Sequence, residues 1–315
     1  MANTRGFVLV NALVIVAALS AVAVFLLARS EAGRARLDAG TMAEQVTLNL
    51  DAFDAYAASI LARDSNMTDH KSEAWAQPLP PVDLLQGSVS GEIRDLQGLF
   101  NVNWLADPEN TLAQTAFDRL LAALSVPPQV GTEIQTFLRP GGPKDRVVWR
   151  SMAPALDPVG GAILSMDQLR VLPGLTDRHF DRLRPFLAAL PGDTLLNINT
   201  ADYEILSAFL PNVPPAALAR ILAARDMEPF PSPESFLIAT GLATAEDTEE
   251  ENNGNPDTQE DRTVLTQDRI SVSSDWFHVH SQTKLGRQTA RRETVLFRKT
   301  RPAVTASVWH QSSRP

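Results

Sequence analysis

The chain has 315 residues, enough for about two domains, and 44% of them are hydrophobic, enough to bury real cores. It contains no cysteine, which excludes disulfides, thiolate nucleophiles and Cys-ligated zinc. The formal net charge of -9 is local: Glu246 to Asp261 holds eight acids and no base, whereas Lys284 to Pro315 holds eight Lys/Arg against Glu293 alone. The acidity is therefore one loop, 246–262, and not a surface built to repel nucleic acid.

The first element is an apolar run from Phe7 to Ala28, interrupted only by Asn11 and Ser20. At about 1.5 Å per residue it spans roughly 33 Å as a helix, enough to cross a bilayer core. A secretory signal would be shorter and would be followed by a small-x-small cleavage site. Here Arg5-Gly6 precedes the apolar run, as in type IV prepilin-like leaders. Cleavage after Gly6 would remove leader 1–6 and keep 7–28 as a transmembrane segment starting at Phe7. The plain alternative is an uncleaved single-pass anchor that retains Met1. Arg5 and the initiating amine occupy a short flank without acids, while Arg29, Glu31, Arg34, Arg36 and Asp38 form a mixed flank beyond the span. The short leader is expected in the cytoplasm and the remainder outside the inner membrane of a bacterium.

Residues 29–76 are expected to continue this helix in amphipathic form to about Arg63. No proline occurs from Glu31 to Arg63, and Leu37, Met42, Val46, Leu50, Phe53 and Ile60 keep helical spacing. Such a stripe needs a partner surface, and Leu37, Met42, Val46, Leu50 and Phe53 are the candidates for packing against sibling helices. Gln77-Pro78-Leu79-Pro80-Pro81 then starts a new unit. Strand signals appear in 77–103, at Ser88 to Ile93 and Leu99 to Val102, and again in 263–301, at Ile270 to Ser273, Trp276 to Lys284 and Thr289 to Phe297. Strands at both ends of a helical stretch, 104–245, predict an α+β fold. A small antiparallel sheet covers the long helix, a helical domain is inserted into that sheet, and 302–315 is left as a tail.

The insertion contains a repeat. Leu172-Pro173-Gly174-Leu175 and Leu210-Pro211-Asn212-Val213 lie 38 residues apart, each between two short helical patterns. Ser165 to Gln168 reads as a capping box, Thr176 and Thr200 as helix caps, and Pro215 as a helix start. Asn197-Ile198-Asn199-Thr200 completes a helix-hairpin-helix signature, and a partial third copy runs from Ser232 to Gly241. Such hairpins grip phosphates through free backbone amides. Here Asp177 follows the first hairpin, and Pro214-Pro215 removes two donors from the second. No nucleic acid is expected. A membrane-anchored DNA-binding or uptake receptor is the rival reading.

The Gly6-Phe7 leader, Leu96-Gln97-Gly98-Leu99-Phe100-Asn101-Val102-Asn103, the Asn-Ile-Asn-Thr hairpin unit and Ser274-Asp275-Trp276-Phe277-His278-Val279 occur in this order. In this the chain resembles the general secretion pathway protein K family, the large minor pseudopilins of type II secretion systems, from Arg5 to about Arg298. The resemblance implies a pilin-like helix on a sheet, with a helix-hairpin-helix (SAM-like) insertion capping the pseudopilus tip. It implies partnership with I-type and J-type minor pseudopilins, leader removal by a prepilin peptidase, N-methylation of Phe7, and a role in starting pseudopilus assembly. Most pseudopilins carry a glutamate where this chain has Asn11, and K-type members lack it, as a subunit with nothing above it would.

Some K-type members bind calcium through an acid-rich stretch after the Asn-x-Asn strand. The comparable stretch here, Gln135 to Arg150, has Asp145 alone. The tract 246–261 offers oxygens that suit calcium but lacks EF-hand spacing and reads as a solvated loop. No cofactor is assigned. His278-Val279-His280 places two imidazoles on one strand face, yet no third ligand is evident along the sequence, so they read as ordinary strand residues. No Gly-x-Ser-x-Gly, His-Glu-x-x-His or Walker loop is present, and the chain is expected to catalyse nothing. The basic end, Arg287 to Arg301, reads as protection of a sheet edge.

Overall fold

In the computed structural model, residues 4–64, 67–84, 87–243, 264–286, 288–299 and 304–313 are described. One helix, α1 (Thr4–Arg63), runs through the apolar segment and its amphipathic continuation. At about 1.5 Å per residue it is a rod about 90 Å long. Neither Gly33 nor Gly40 breaks it.

The strands in chain order are β1 (Val82–Leu84), β2 (Gly87–Asp95), β3 (Phe100–Asn101), β4 (Leu187–Ala188), β5 (Leu196–Asn197), β6 (Ile270–Ser271), β7 (Trp276–Leu285), β8 (Gln288–Lys299) and β9 (Val304–Ser313). Five of them form one antiparallel sheet in the order β1-β2-β7-β8-β9. The register places Glu92 beside His280 and His280 beside Glu293, so residues far apart in sequence share one face. Burial alternates strictly along β7, with Phe277, Val279, Ser281, Thr283 and Leu285 inward. That face meets α1.

The joint follows from helical spacing. Val46, Leu50, Phe53, Ala57 and Leu61 recur every three or four residues and are all buried. They cover Val89, Ile93, Phe277, Val279, Leu285, Ala290 and Leu296 on the sheet. Phe53 lies over Gly91 so closely that a Cβ there would stand 2.6 Å from the ring. Glycine at this site is what lets the helix seat.

Between β2 and β7 the chain leaves the sheet to build the inserted region. Its helices are α2 (Thr111–Ala123), α3 (Pro128–Leu138), α4 (Val147–Arg150), α5 (Asp177–Leu183), α6 (Tyr203–Phe209), α7 (Pro215–Met227) and α8 (Pro233–Thr240). They enclose a separate apolar core in which Phe100 stacks on Phe117 and Phe209 at 5.2 and 5.9 Å. The Ser165 capping box, the Thr176 cap, the Pro215 start and the Ser232–Gly241 unit all occur as read from sequence.

Four expectations are corrected. Leu99 to Val102 is not a strand of the main sheet: β3 pairs in parallel with β4, because Phe100 belongs to the helical core. The same holds for Ile270 to Ser273, where β6 pairs in parallel with β5. Thr200 does not cap α6. Asp202 occupies that position, and the Thr200 hydroxyl is drawn to Asp95. The segment 302–315 is not merely a tail, since Val304–Ser313 forms the edge strand β9 along β8.

Candidate functional site

The most exposed feature is the first half of α1. Phe7 is 71% exposed, Leu13 69% and Phe25 63%, and Asn11 is likewise exposed. Gly6 lies inside the helix, which begins at Thr4. Among the described residues this is the one helix long and apolar enough to cross a membrane, with mean hydropathy 2.7 and none of that window buried. Leu37 and Met42 also remain exposed. Val46, Leu50 and Phe53 do not: the chain's own sheet covers them, so they cannot pack on a sibling rod.

Polar groups pin the buried half in place. Arg292, on β8, is buried and donates to Asp51 Oδ1 (2.5 Å) and Asp54 Oδ2 (3.2 Å), and Thr294 donates to Asp54 Oδ2 (2.9 Å). Asn49 donates to the Thr283 hydroxyl at 3.2 Å. At the end of the rod, Arg298 donates to Asp64 Oδ2 (2.9 Å), Asp69 Oδ2 (2.5 Å) and the Ser274 carbonyl (2.7 Å). Burial raises the Asp69 carboxyl above the usual carboxylate range, although Arg298 opposes the shift.

A second seam joins the sheet to the inserted region, and it is polar. Asp95, at the end of β2, is buried and accepts from Gln97 N (2.7 Å), Thr200 Oγ1 (2.5 Å), Ser274 Oγ (2.7 Å) and Asn197 Nδ2 (3.1 Å). Burial pushes its pKa up to about 6, against the pull of the Thr200, Ser274 and Gln97 hydrogen bonds.

The two Asn-x-Asn motifs do the same work at two places. Asn101 Oδ1 accepts from Asn103 N, and Asn197 Oδ1 accepts from Asn199 N. Asn103 then pairs with the backbone N–H and C=O of Ile163, and Asn199 with those of Phe230. Each second asparagine acts as a substitute strand residue, tying a distant loop to the core.

The hairpins offer phosphate little. The Gly174 amide already donates to the Glu133 carboxylate at 2.9 Å, and Arg170 is paired with Asp167 and Asp177. The calcium stretch does not fit a hard cation either. Asp145 accepts from the Val147 amide, and its neighbours Lys144 and Arg146 are cations. The acidic tract 246–261 lies outside the described residues.

On the sheet face turned away from α1, a cleft of about 290 Å³ separates the sheet from the inserted region; Arg94, Arg184, His278, His280, Glu293 and Trp309 are among its lining. The two imidazoles stand edge to face at 4.3 Å. Burial and His280 hold His278 down to about 4, against the Glu293 carboxylate. Sequence reading found both histidines but not Glu293, whose approach depends on the β7–β8 register.

Residues 98–192 and 196–254 match two family models, both described as type II secretion system (T2SS), protein K. Over these residues the chain is similar to the type II secretion system protein K family. Its identity to the type II secretion system protein K of Pseudomonas aeruginosa is 31% over 181 residues, covering 53% of this chain and 54% of that protein. For the relative from Aeromonas hydrophila the identity is 29%, covering 46% and 51%. The chain thus spans about half the length of these curated relatives. A third relative, from Pectobacterium carotovorum subsp. carotovorum, aligns over 93% of this chain and 92% of its own length at 24% identity. The fold matches a chain of the crystal structure of the GspK-GspI-GspJ complex from enterotoxigenic Escherichia coli. The TM-score is 0.71 at 20% identity, over 89% of this chain and 100% of that one.

Proposed function

We infer that this chain is a minor pseudopilin that sits at the tip of the type II secretion pseudopilus, starts its assembly and supports export across the outer membrane. One observation carries the reading. The apolar half of α1 has no cover within the chain, while the inserted region joins the sheet at the opposite end of the rod, where Arg298 reaches Asp64 and Asp69. A bare apolar shaft needs lipid or sibling helices around it. A bulky head at the far end suits a subunit with nothing stacked above.

In this reading a prepilin peptidase cuts between Gly6 and Phe7, and Phe7 becomes the N-methylated terminus. Phe7 to Ala28 holds the protein in the bacterial inner membrane, with the rest in the periplasm. Asn11 replaces the carboxylate that an interior subunit would pair with its neighbour's amine. Burying an unpaired charge in lipid is costly, so a neutral residue suits the topmost position. Exposed Leu37 and Met42 remain to contact other pseudopilins. The solved relative forms a complex with GspI and GspJ, which supports I-type and J-type minor pseudopilins as this chain's partners. Its role is assembly, without catalysis and without nucleic acid.

Intact-mass spectrometry of the chain isolated from membranes tests this. The expected species begins at Phe7 and carries one methyl group. A chain that keeps Met1 would refute the leader and, with it, the assembly role.

A further inference from the structure

We propose that His278, His280 and Glu293 form a binding site for one divalent transition-metal ion, zinc being the best match, in the cleft between the sheet and the inserted region. Three observations support it. Glu293 Oε2 lies 3.7 Å from His278 Nε2, and Glu293 Oε1 lies 3.9 Å from His280 Nδ1. One ligand atom from each of the three residues falls within 4.8 Å of the others. Zinc bonds of about 2.0 to 2.2 Å place tetrahedral ligand atoms about 3.4 Å apart, so atoms lying up to 4.8 Å apart must draw together by as much as about 1.4 Å to close on an ion. The ligands are held on rigid backbone: the histidines alternate along β7, and Glu293 is the register partner of His280 on β8.

The second observation is that both imidazoles are free to ligate. No hydrogen bond to either imidazole ring occurs among the described residues, although His278 is mostly buried, with its side chain 15% exposed. Two imidazoles and one carboxylate, open on the cleft side, make a three-ligand set with a fourth position for water. The third is a built-in competitor. Arg184, from the inserted region, donates to Glu293 Oε1 at 2.6 Å, and Arg94 stands in register beside His278. Glu92 is in register on the other side of His280. A dication and the Arg184 guanidinium cannot both be well served by Glu293. Metal binding therefore releases one of the ties between the inserted region and the sheet.

The test is an equilibrium zinc titration of the tag-free, detergent-solubilised full chain against a chromophoric chelator. One equivalent per chain is expected. His280→Ala, altering a side chain that is 44% exposed, and Glu293→Gln should each weaken binding at least tenfold. Arg184→Gln, which deletes the competitor and no ligand, should tighten it at least threefold. Absence of stoichiometric zinc in the wild type, or affinity unchanged in His280→Ala, overturns the site. An affinity that stays the same or falls in Arg184→Gln overturns the competition for Glu293.

Discussion

The sheet is held along two seams of opposite chemistry. Against α1 it presents Val89, Ile93, Phe277, Val279 and Leu296 to a helical stripe, and the charged pins sit around that apolar strip. Against the inserted region it presents Asp95, Ser274 and Gln97, and the contact is a hydrogen-bond network beside one small apolar cluster of Leu96, Leu99, Ala188, Leu190 and Trp276. An apolar seam is tolerant of sliding, because burial is nondirectional. A buried polar seam fixes one orientation, since each unmade bond leaves a group desolvated. The rod is fastened by area, and the head by geometry.

Arg298 belongs to both seams, so its loss is the largest expected effect. Arg298→Ala leaves the buried Asp69 carboxylate without its cation and should cost about 3 to 5 kcal/mol in urea unfolding of the solubilised chain. Hydrogen exchange should show protection lost around Ser274 to Phe277 but kept in α2, whose core is separate. Equal loss in both would erase the distinction between the seams. Phe53→Ala attacks the apolar seam alone, and about 3 to 4 kcal/mol of destabilisation is expected from the cavity it leaves.

Asp95→Asn sharpens the comparison through pH. The Asp95 carboxyl has a raised pKa in the folded state, about 6 against 3.8 for an ordinary Asp. The native chain therefore binds the extra proton first, and Asp95 adds stability as pH falls from 7 through 6 toward 4. Comparing unfolding at pH 7 and pH 4.5, the wild type should gain on the order of 2 kcal/mol relative to Asp95→Asn. If the two proteins show the same pH difference, the polar seam does not hold a strained carboxylate. The smallest effect belongs to Lys71, whose ion pair with Asp202 spans the second seam at the surface, with side chains 47% and 41% exposed. Lys71→Ala should cost less than about 1 kcal/mol and should lose even that in high salt.

The rod, its apolar half, the Ser165 and Thr176 caps and the insertion between two strand-bearing ends were legible in the sequence. These are local signals: a 3.6-residue period, a serine two residues before a free amide, a proline at a first turn. The order of the segment after Arg301 was not legible, because the partner of β9 is β8 and pairing along an edge leaves no pattern in one strand alone. Thr200 looked like a helix cap because its pull toward Asp95 comes from 105 residues away. Val46, Leu50 and Phe53 were correctly seen as a stripe, but a stripe does not state what covers it. A sheet over the helix was expected from the strand pattern, but the fold was needed to show that it takes these three residues out of reach of sibling rods, and the register of β7 on β8 to carry Glu293 to the two histidines. Covering and register are properties of paired surfaces, and a single segment encodes half of each.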